Sequence, residues 1–125
     1  MQEKPTKEMI LNEPAGPNMD MWVADFVMGW PPKEACDWHP SKDIKHAWAV
    51  VEEIKLKYAE GHISITICRT AAGNPEYRYE CHIQERIYEP SGWADANGKY
   101  HSFAEGPTMP LTVCRAALLE FLRDK

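Results

Sequence analysis

Apolar side chains recur along the chain with two spacings, one typical of helices and the other typical of strands. The predicted helices cover residues 18–30, 41–59 and 109–123, and the predicted strands cover residues 62–69, 76–87 and 99–105. In the helical segments the apolar positions lie three or four residues apart, whereas in the first two strands they alternate with polar ones. The order α-α-β-β-β-α predicts an α+β domain in which three helices pack on a three-stranded antiparallel sheet.

Each predicted helix carries one apolar stripe. The stripes comprise Met19, Trp22, Val23, Phe26 and Trp30 in the first helix, Ile44, Ala47, Trp48, Val51, Ile54 and Tyr58 in the second, and Leu111, Cys114, Leu118, Phe121 and Leu122 in the third. Ser41 and Thr108 are the predicted N-caps of the second and third helices, because a hydroxyl group can accept a backbone N–H there. Gly29 is placed to end the first helix.

The chain has 125 residues, of which 44% are hydrophobic, and this suffices for the core of one domain. Residues 1–17 contain three prolines and several charged side chains. We therefore predict a flexible N-terminal arm over residues 1–17 and a single domain over residues 18–125.

Charge and cysteine content narrow the function classes. The formal net charge is −5 and the isoelectric point is about 5.5, so duplex nucleic acid is not an expected partner. No apolar run is long enough to cross a membrane, so no membrane association is expected. The four cysteines are widely spaced and no signal peptide precedes them, which favours free thiols in the cytosol.

Catalytic and metal-binding motifs are incomplete. Cys36 and His39 have a C-x-x-H spacing, but Cys81 and His82 are adjacent on a predicted strand and therefore point to opposite faces. No nucleophile motif, protease signature or glycine-rich phosphate loop is present. We therefore predict no catalytic residue, no bound metal and no cofactor.

Two predicted helix starts are candidates for anion binding, because a helix N-terminus presents free N–H groups and the positive end of the dipole. Trp30 and Trp38 frame the loop before the second helix and could stack on a ring, while His39 and Lys42 could meet a phosphate. Arg115 falls inside the apolar arc of the last helix, where it either pairs structurally with the sheet or points to a ligand. The predicted ligand-binding residues are Trp30, Trp38, His39, Ser41, Lys42, Thr108, Met109 and Arg115.

Several segments resemble the small phage proteins that have a phage ABA-sandwich domain. The resemblance is carried by Val27-Met28-Gly29-Trp30, by His39-Pro40-Ser41-Lys42-Asp43-Ile44, by Ala47-Trp48-Ala49-Val50-Val51-Glu52 and by Thr108-Met109-Pro110-Leu111-Thr112-Val113-Cys114-Arg115-Ala116-Ala117-Leu118. It spans residues 18–123 and implies a three-layer helix–sheet–helix sandwich from a phage or prophage. It does not imply an activity.

Small and often oligomeric phage proteins sequester nucleotide-derived immune signals of the host, and this analogy gives the leading hypothesis. We expect a non-enzymatic, homo-oligomeric protein in the cytoplasm of the bacterial host that binds a small, phosphate-bearing, nucleotide-like molecule. Two alternatives stay open. One is a protein–protein interaction module that inhibits a host protein, and the other is a small enzyme acting on a nucleotide or phosphoester, with His39 or His82 as acid or base.

Overall fold

The computed structural model describes residues 4–30, 37–57, 62–70, 78–89, 92–95 and 102–122. The helices are α1 (Lys7–Asn12), α2 (Pro17–Trp22), which continues as a π-helical segment (Val23–Met28), α3 (Ile44–Lys57) and α4 (Met109–Leu122). The strands are β1 (His62–Thr70), β2 (Arg78–Glu89), β3 (Gly92–Asp95) and β4 (Ser102–Gly106). The predicted α+β class is confirmed, and the structure adds one short helix and one short strand to the predicted order. The predicted loop residues 31–36 lie outside the described residues.

Strand β2 lies at the centre of one antiparallel sheet. It pairs with β1 along one edge and with β3 and β4 along the other. Ile65 lies opposite Ile83 in the β1–β2 register, so the predicted alternation places apolar side chains on one face. Strand β3 was not predicted because four residues are too few for alternation to be visible, and the predicted third strand is β4.

Helix α4 is the centre of the core. It contacts β2 and β4 on one side, and α1, α2, the π-helical segment and α3 also contact it. All eight residues from Leu111 to Leu118 are buried, including the polar Thr112 and Arg115. A helix that is buried on every side has no solvent-facing stripe. The apolar stripe predicted for this segment is therefore only part of its buried surface.

The first predicted helix is irregular in its second half. Residues Val23–Met28 form a π-helix, and the segment ends at Gly29, whose φ of 69° is the left-handed conformation that glycine adopts without a Cβ clash. The N–H groups of Gly29 and Trp30 both donate to Ala24 O. Trp30 follows this ending and is partly buried against the core.

The N-terminal segment differs from the prediction of a flexible arm. Thr6 caps α1 by accepting the N–H of Met9 at 3.1 Å, and Ile10 is buried in the core. Arg115 on α4 donates to Glu13 O at 3.0 Å. The segment docks through the buried Ile10 and through long-range hydrogen bonds at Glu13 O and at the N–H of Gly16. None of these contacts is visible in a composition rich in proline and charge.

The apolar stripe of α3 also differs from its prediction. Its buried residues are Ala47, Val50, Val51 and Ile54. Trp48 and Ile44 were assigned to the core face, but they are 53% and 57% exposed. Helix α3 contacts α4 and the π-helical segment, and the side that it turns toward them includes Val50. Ile44 and Trp48 lie one turn apart on the outer side of the helix.

Candidate functional site

Ser41 anchors the turn that precedes α3. Its side chain is fully buried, its Oγ accepts the N–H of Gly16 at 3.0 Å, and its own N–H donates to Asp20 Oδ1 at 2.9 Å. Both partners lie at the start of α2, so the turn is fixed to that helix. Pro40 is buried as well, whereas the flanking His39 and Lys42 are exposed. The turn therefore presents two side chains that can be positively charged on a rigid backbone.

Asp43, rather than Ser41, caps α3. Its Oδ1 accepts the N–H of Lys45 at 2.8 Å, in the first turn of the helix. This backbone hydrogen bond lowers the pKa of the Asp43 carboxyl below its ordinary value of 3.8, so the group is ionised at neutral pH. The predicted cap was two residues early because Ser41 uses its hydroxyl group for a partner on another helix.

Several backbone donors around this helix start already have acceptors. The N–H groups of Lys42 and Asp43 both donate to His39 O, at 3.1 and 2.7 Å. The N–H of Ala47 donates to Asp43 O at 2.9 Å. These N–H groups are therefore not available to a phosphate. The exposed side chains of His39 and Lys42 are further candidate groups for an anion at this position.

Three aromatic rings pack together beside the turn. The rings of Trp30 and Trp38 meet edge to face with a centroid distance of 4.7 Å, and Trp38 stacks on His46 at 5.1 Å. Trp38 is only 7% exposed, and its indole N–H has no hydrogen-bond partner among the described residues. Trp38 is thus a supporting ring within the core, and Trp30 keeps a partly exposed surface.

His39 connects this cluster to a buried carboxylate. Its backbone N–H donates to His46 Nδ1 at 2.9 Å, which requires that this nitrogen carries no proton. The His39 ring is 58% exposed, and its Nδ1 lies 3.7 Å from Oδ2 of the buried Asp20. That distance is too long for a hydrogen bond but allows an attraction when the ring is protonated.

An open concavity of about 600 Å³ lies at this turn. The described residues that line it are His39, Lys42, Asp43 and Ile44. It combines a cation, an anion, an imidazole ring and an exposed apolar side chain within six consecutive positions. Such a surface can hold a small molecule that has both charged and apolar parts.

The other three predicted site residues belong to a different environment. Thr108 precedes α4, and its carbonyl accepts the N–H of Thr112 at 3.1 Å and the hydroxyl of Thr112 at 2.6 Å. Met109 packs against the core. Arg115 is buried, and its guanidinium group donates from Nη1 to Glu105 O at 2.8 Å and from Nη2 to Glu13 O at 3.0 Å. The described contacts do not join these residues to the concavity, and they favour the structural alternative for Arg115.

Three residues of the site were not predicted from the sequence, namely Asp20, Asp43 and His46. Asp43 could have been found, because aspartate is a preferred N-cap and the periodic pattern begins just after it. His46 lies in the first turn of α3, seven residues after His39, and no local sequence pattern pairs the two. Asp20 gives no local signal, since its partner Ser41 lies 21 residues away in the sequence.

Among the residues that the structure describes, no three His, Cys, Asp or Glu side chains converge in a way that could hold a metal ion. The same residues contain no helix that is both long and apolar enough to cross a membrane. Cys81 and Cys114 are both buried, and burial, together with the nearby Asp20 charge, raises the pKa of Cys114 well above its ordinary value. A thiol in that state is a poor nucleophile.

Comparison with known proteins gives one match. The family model of the Phage ABA sandwich domain matches residues 21–118, which include the π-helical segment, the turn before α3, the whole sheet and most of α4. No curated protein and no solved structure matched the chain. Since the family model covers well over half of the sequence, the chain belongs to the Phage ABA sandwich domain family.

Proposed function

We propose that this phage-family protein binds a small, phosphate-bearing, nucleotide-like molecule at the concavity before α3 and does not turn it over. The observation that carries the proposal is the pair of exposed side chains His39 and Lys42, which are held on a buried turn next to an aromatic cluster. Ligand sites combine apolar surface with fixed polar groups, and the described lining of this concavity has three polar side chains and one apolar side chain.

Each residue has a distinct part in this proposal. The Lys42 ammonium group and the His39 ring would hold the phosphate, since several backbone donors of the helix start already have acceptors. Ile44 and the exposed surface of Trp30 would contact the base or sugar. Ser41 and Trp38 are positioning residues, because both are buried and fix the turn. Thr108, Met109 and Arg115 have no part in it.

Sequestration in the host cytoplasm is the corresponding biological role, with a nucleotide-derived immune signal as the ligand. Family membership supports a phage origin, and the absence of a complete catalytic motif in the sequence supports binding without turnover. A homo-oligomer is the proposed assembly, because a small chain gains buried surface by association.

A thermal-shift screen against nucleotides, cyclic dinucleotides and ADP-ribose derivatives tests this function. A ligand present at 100 times its Kd and bound only to the native state adds about 2.7 kcal/mol of stability, or roughly 5–10 °C for a domain of this size. We expect Lys42→Ala and His39→Ala to abolish the shift. Lys45→Ala is the matched control, because Lys45 is an exposed lysine in the first turn of α3 that does not line the concavity.

The same experiment separates binding from catalysis. Asp20 Oδ2 lies 3.7 Å from Nδ1 of His39, and the enzyme alternative would use His39 as acid or base on a nucleotide or phosphoester. Recovery of the intact ligand after denaturation of the complex would support sequestration. Consumption of the ligand that depends on both His39 and Asp20 would replace it by the enzyme function.

A protein–protein interaction module is the second candidate, and the outer side of α3 favours it. Trp48, Ile44 and Leu56 are all more than half exposed there. Tryptophan is over-represented among the residues that dominate the energy of protein interfaces. If Trp48→Ala abolished host-protein binding while leaving every nucleotide shift unchanged, the two functions would reside on different surfaces.

A further inference from the structure

Asp43 caps α3, and its carboxylate also places a negative charge at the proposed ligand site. The carboxylate lines the same concavity as Lys42 and His39. Its Oδ1 accepts the N–H of Lys45, and the hydrogen bonds of Lys42 and Asp43 to His39 O use two further donors. A phosphate that enters the concavity therefore meets one fixed negative charge and no free amide from these residues.

The charges at the concavity limit the charge of the ligand. Lys42 contributes one positive charge and Asp43 one negative charge. At neutral pH a phosphomonoester carries about 1.5 to 2 negative charges, whereas a phosphodiester carries only one. Repulsion by Asp43 increases with the charge of the ligand, so it disfavours the monoester more than the diester.

The same carboxylate can recognise a hydroxyl group. An ionised carboxylate only accepts hydrogen bonds and offers about four lone-pair positions. Backbone N–H groups of α3 occupy part of this capacity, and the low pKa of Asp43 keeps it ionised at neutral pH. A sugar hydroxyl beside the phosphate would supply the donor that the remaining positions can take.

We propose that Asp43 is a specificity-determining residue, which selects a phosphodiester that carries a neighbouring free sugar hydroxyl over a phosphomonoester. This inference rests on the proposed function, because it concerns the same concavity. It adds the chemical class of the ligand, and it assigns to Asp43 a role that neither a pure helix cap nor a general phosphate site requires.

Titration calorimetry with three adenine nucleotides tests the proposed role of Asp43. The probes are adenosine 3′,5′-cyclic phosphate, its 2′-deoxy form and adenosine 5′-monophosphate. The wild-type protein is compared with Asp43→Asn, which removes the charge but keeps a residue that caps helices well. Glu52→Gln is the matched control, because it removes one exposed carboxylate of the same helix that does not line the concavity.

We expect the wild-type protein to bind the cyclic ribonucleotide most tightly. In Asp43→Asn the affinity for the 5′-monophosphate should rise about three- to tenfold, as removal of a charge at short range predicts, and the preference for the 2′-hydroxyl should fall to near one. Glu52→Gln should behave like the wild-type protein.

Two other outcomes separate the inference from the proposed function. If the wild-type and Asp43→Asn proteins bound each probe with the same Kd within twofold, the role of Asp43 would be overturned while the concavity remained a nucleotide site. If no probe bound to any of the three proteins, the proposed site itself would be overturned. A thermal melt of each variant verifies that Asp43→Asn is folded.

Discussion

The starts of α3 and α4 have similar sequences but opposite surroundings. Both follow a proline and a hydroxyl residue, Pro40-Ser41 before α3 and Pro107-Thr108 before α4. Before α3 the hydroxyl residue is buried and its neighbours His39 and Lys42 are exposed. Before α4 the hydroxyl residue is exposed, and the cation of the region, Arg115, is buried.

The difference lies in what each cation contacts. The Arg115 guanidinium donates to the carbonyl groups of Glu105 and Glu13, so it joins α4 to β4 and to the N-terminal segment. Lys42 contributes only its backbone N–H to the described hydrogen bonds, and its side chain lines an open concavity. A local sequence pattern therefore locates a helix start, while the tertiary partners decide whether that start supports the fold or meets solvent.

The largest expected effect is the loss of stability in Arg115→Met. The substitution keeps apolar bulk but leaves the carbonyl groups of Glu13 and Glu105 without their charged donor, which should lower the free energy of unfolding by about 2–4 kcal/mol. Urea unfolding followed by circular dichroism measures it. Lys42→Met, at the start of α3, is the control. An equal loss of unfolding free energy in both variants would contradict the proposal that only the α4 start supports the fold through its cation.

The next largest loss of stability is expected at Gly106, whose backbone lies close to the side chains of Thr112 and Arg115. A Cβ atom at this position would lie 2.6 Å from Thr112 Oγ1 and 3.3 Å from Arg115 Nη1. Gly106→Ala should therefore cost about 1–3 kcal/mol through overpacking. Thermal unfolding measures the change.

A double-mutant cycle tests the cause of that cost. Thr112→Ala removes the oxygen atom that the new methyl group would meet, so the double variant should be more stable than the sum of the two single changes predicts. Additive costs would show that the strain lies elsewhere.

Sequence reasoning was most successful where the information is local. The long periodic segments predicted α4 and the first two strands, and the resemblance of local motifs indicated the family. Trp30, Trp38, His39, Ser41 and Lys42 were assigned to one region because they lie close together in the chain. The fold places these five at the turn before α3 or beside it, although two of them are buried supports and not exposed groups.

The remaining features depend on partners that are distant in the sequence. Arg115 and Glu13 are separated by 102 residues, and Ser41 and Gly16 by 25. No periodicity relates such pairs, so the docking of the N-terminal segment and the true cap of α3 were missed. The exposure of Trp48 was missed because a helical wheel fixes an angle but not which neighbouring helix covers it.

Lowering the pH should weaken the start of α3 moderately and leave the start of α4 unchanged. The pKa of Asp43 is lowered in the folded state, so the stability that its ionised cap contributes is present above the unfolded value of 3.8 and is lost as the pH falls through the folded value. The first turn of α4 uses the carbonyl and hydroxyl groups of Thr108 and Thr112, which do not titrate.

Amide hydrogen exchange, corrected for the intrinsic rate at each pH, measures this difference. Between about pH 6 and pH 3 the protection of the Lys45 amide should fall, while that of the Thr112 amide should not change. Asp43→Asn should remove the pH dependence at Lys45. Equal loss of protection at both amides would indicate global acid unfolding and not titration of the α3 cap.

Lys42→Ala is expected to have the smallest effect on stability. It therefore tests most directly whether the start of α3, unlike the start of α4, serves a ligand and not the fold. Lys42 is exposed, and its side chain has no hydrogen bond or ion pair among the described contacts, so the free energy of unfolding should change by less than about 0.5 kcal/mol. The nucleotide-induced thermal shift should nevertheless disappear, because the variant removes the cation of the concavity and leaves the turn intact. Lys45→Ala should change neither quantity. If Lys42→Ala retained the full shift, the α3 start would resemble the α4 start, with its charges serving the fold and not a ligand.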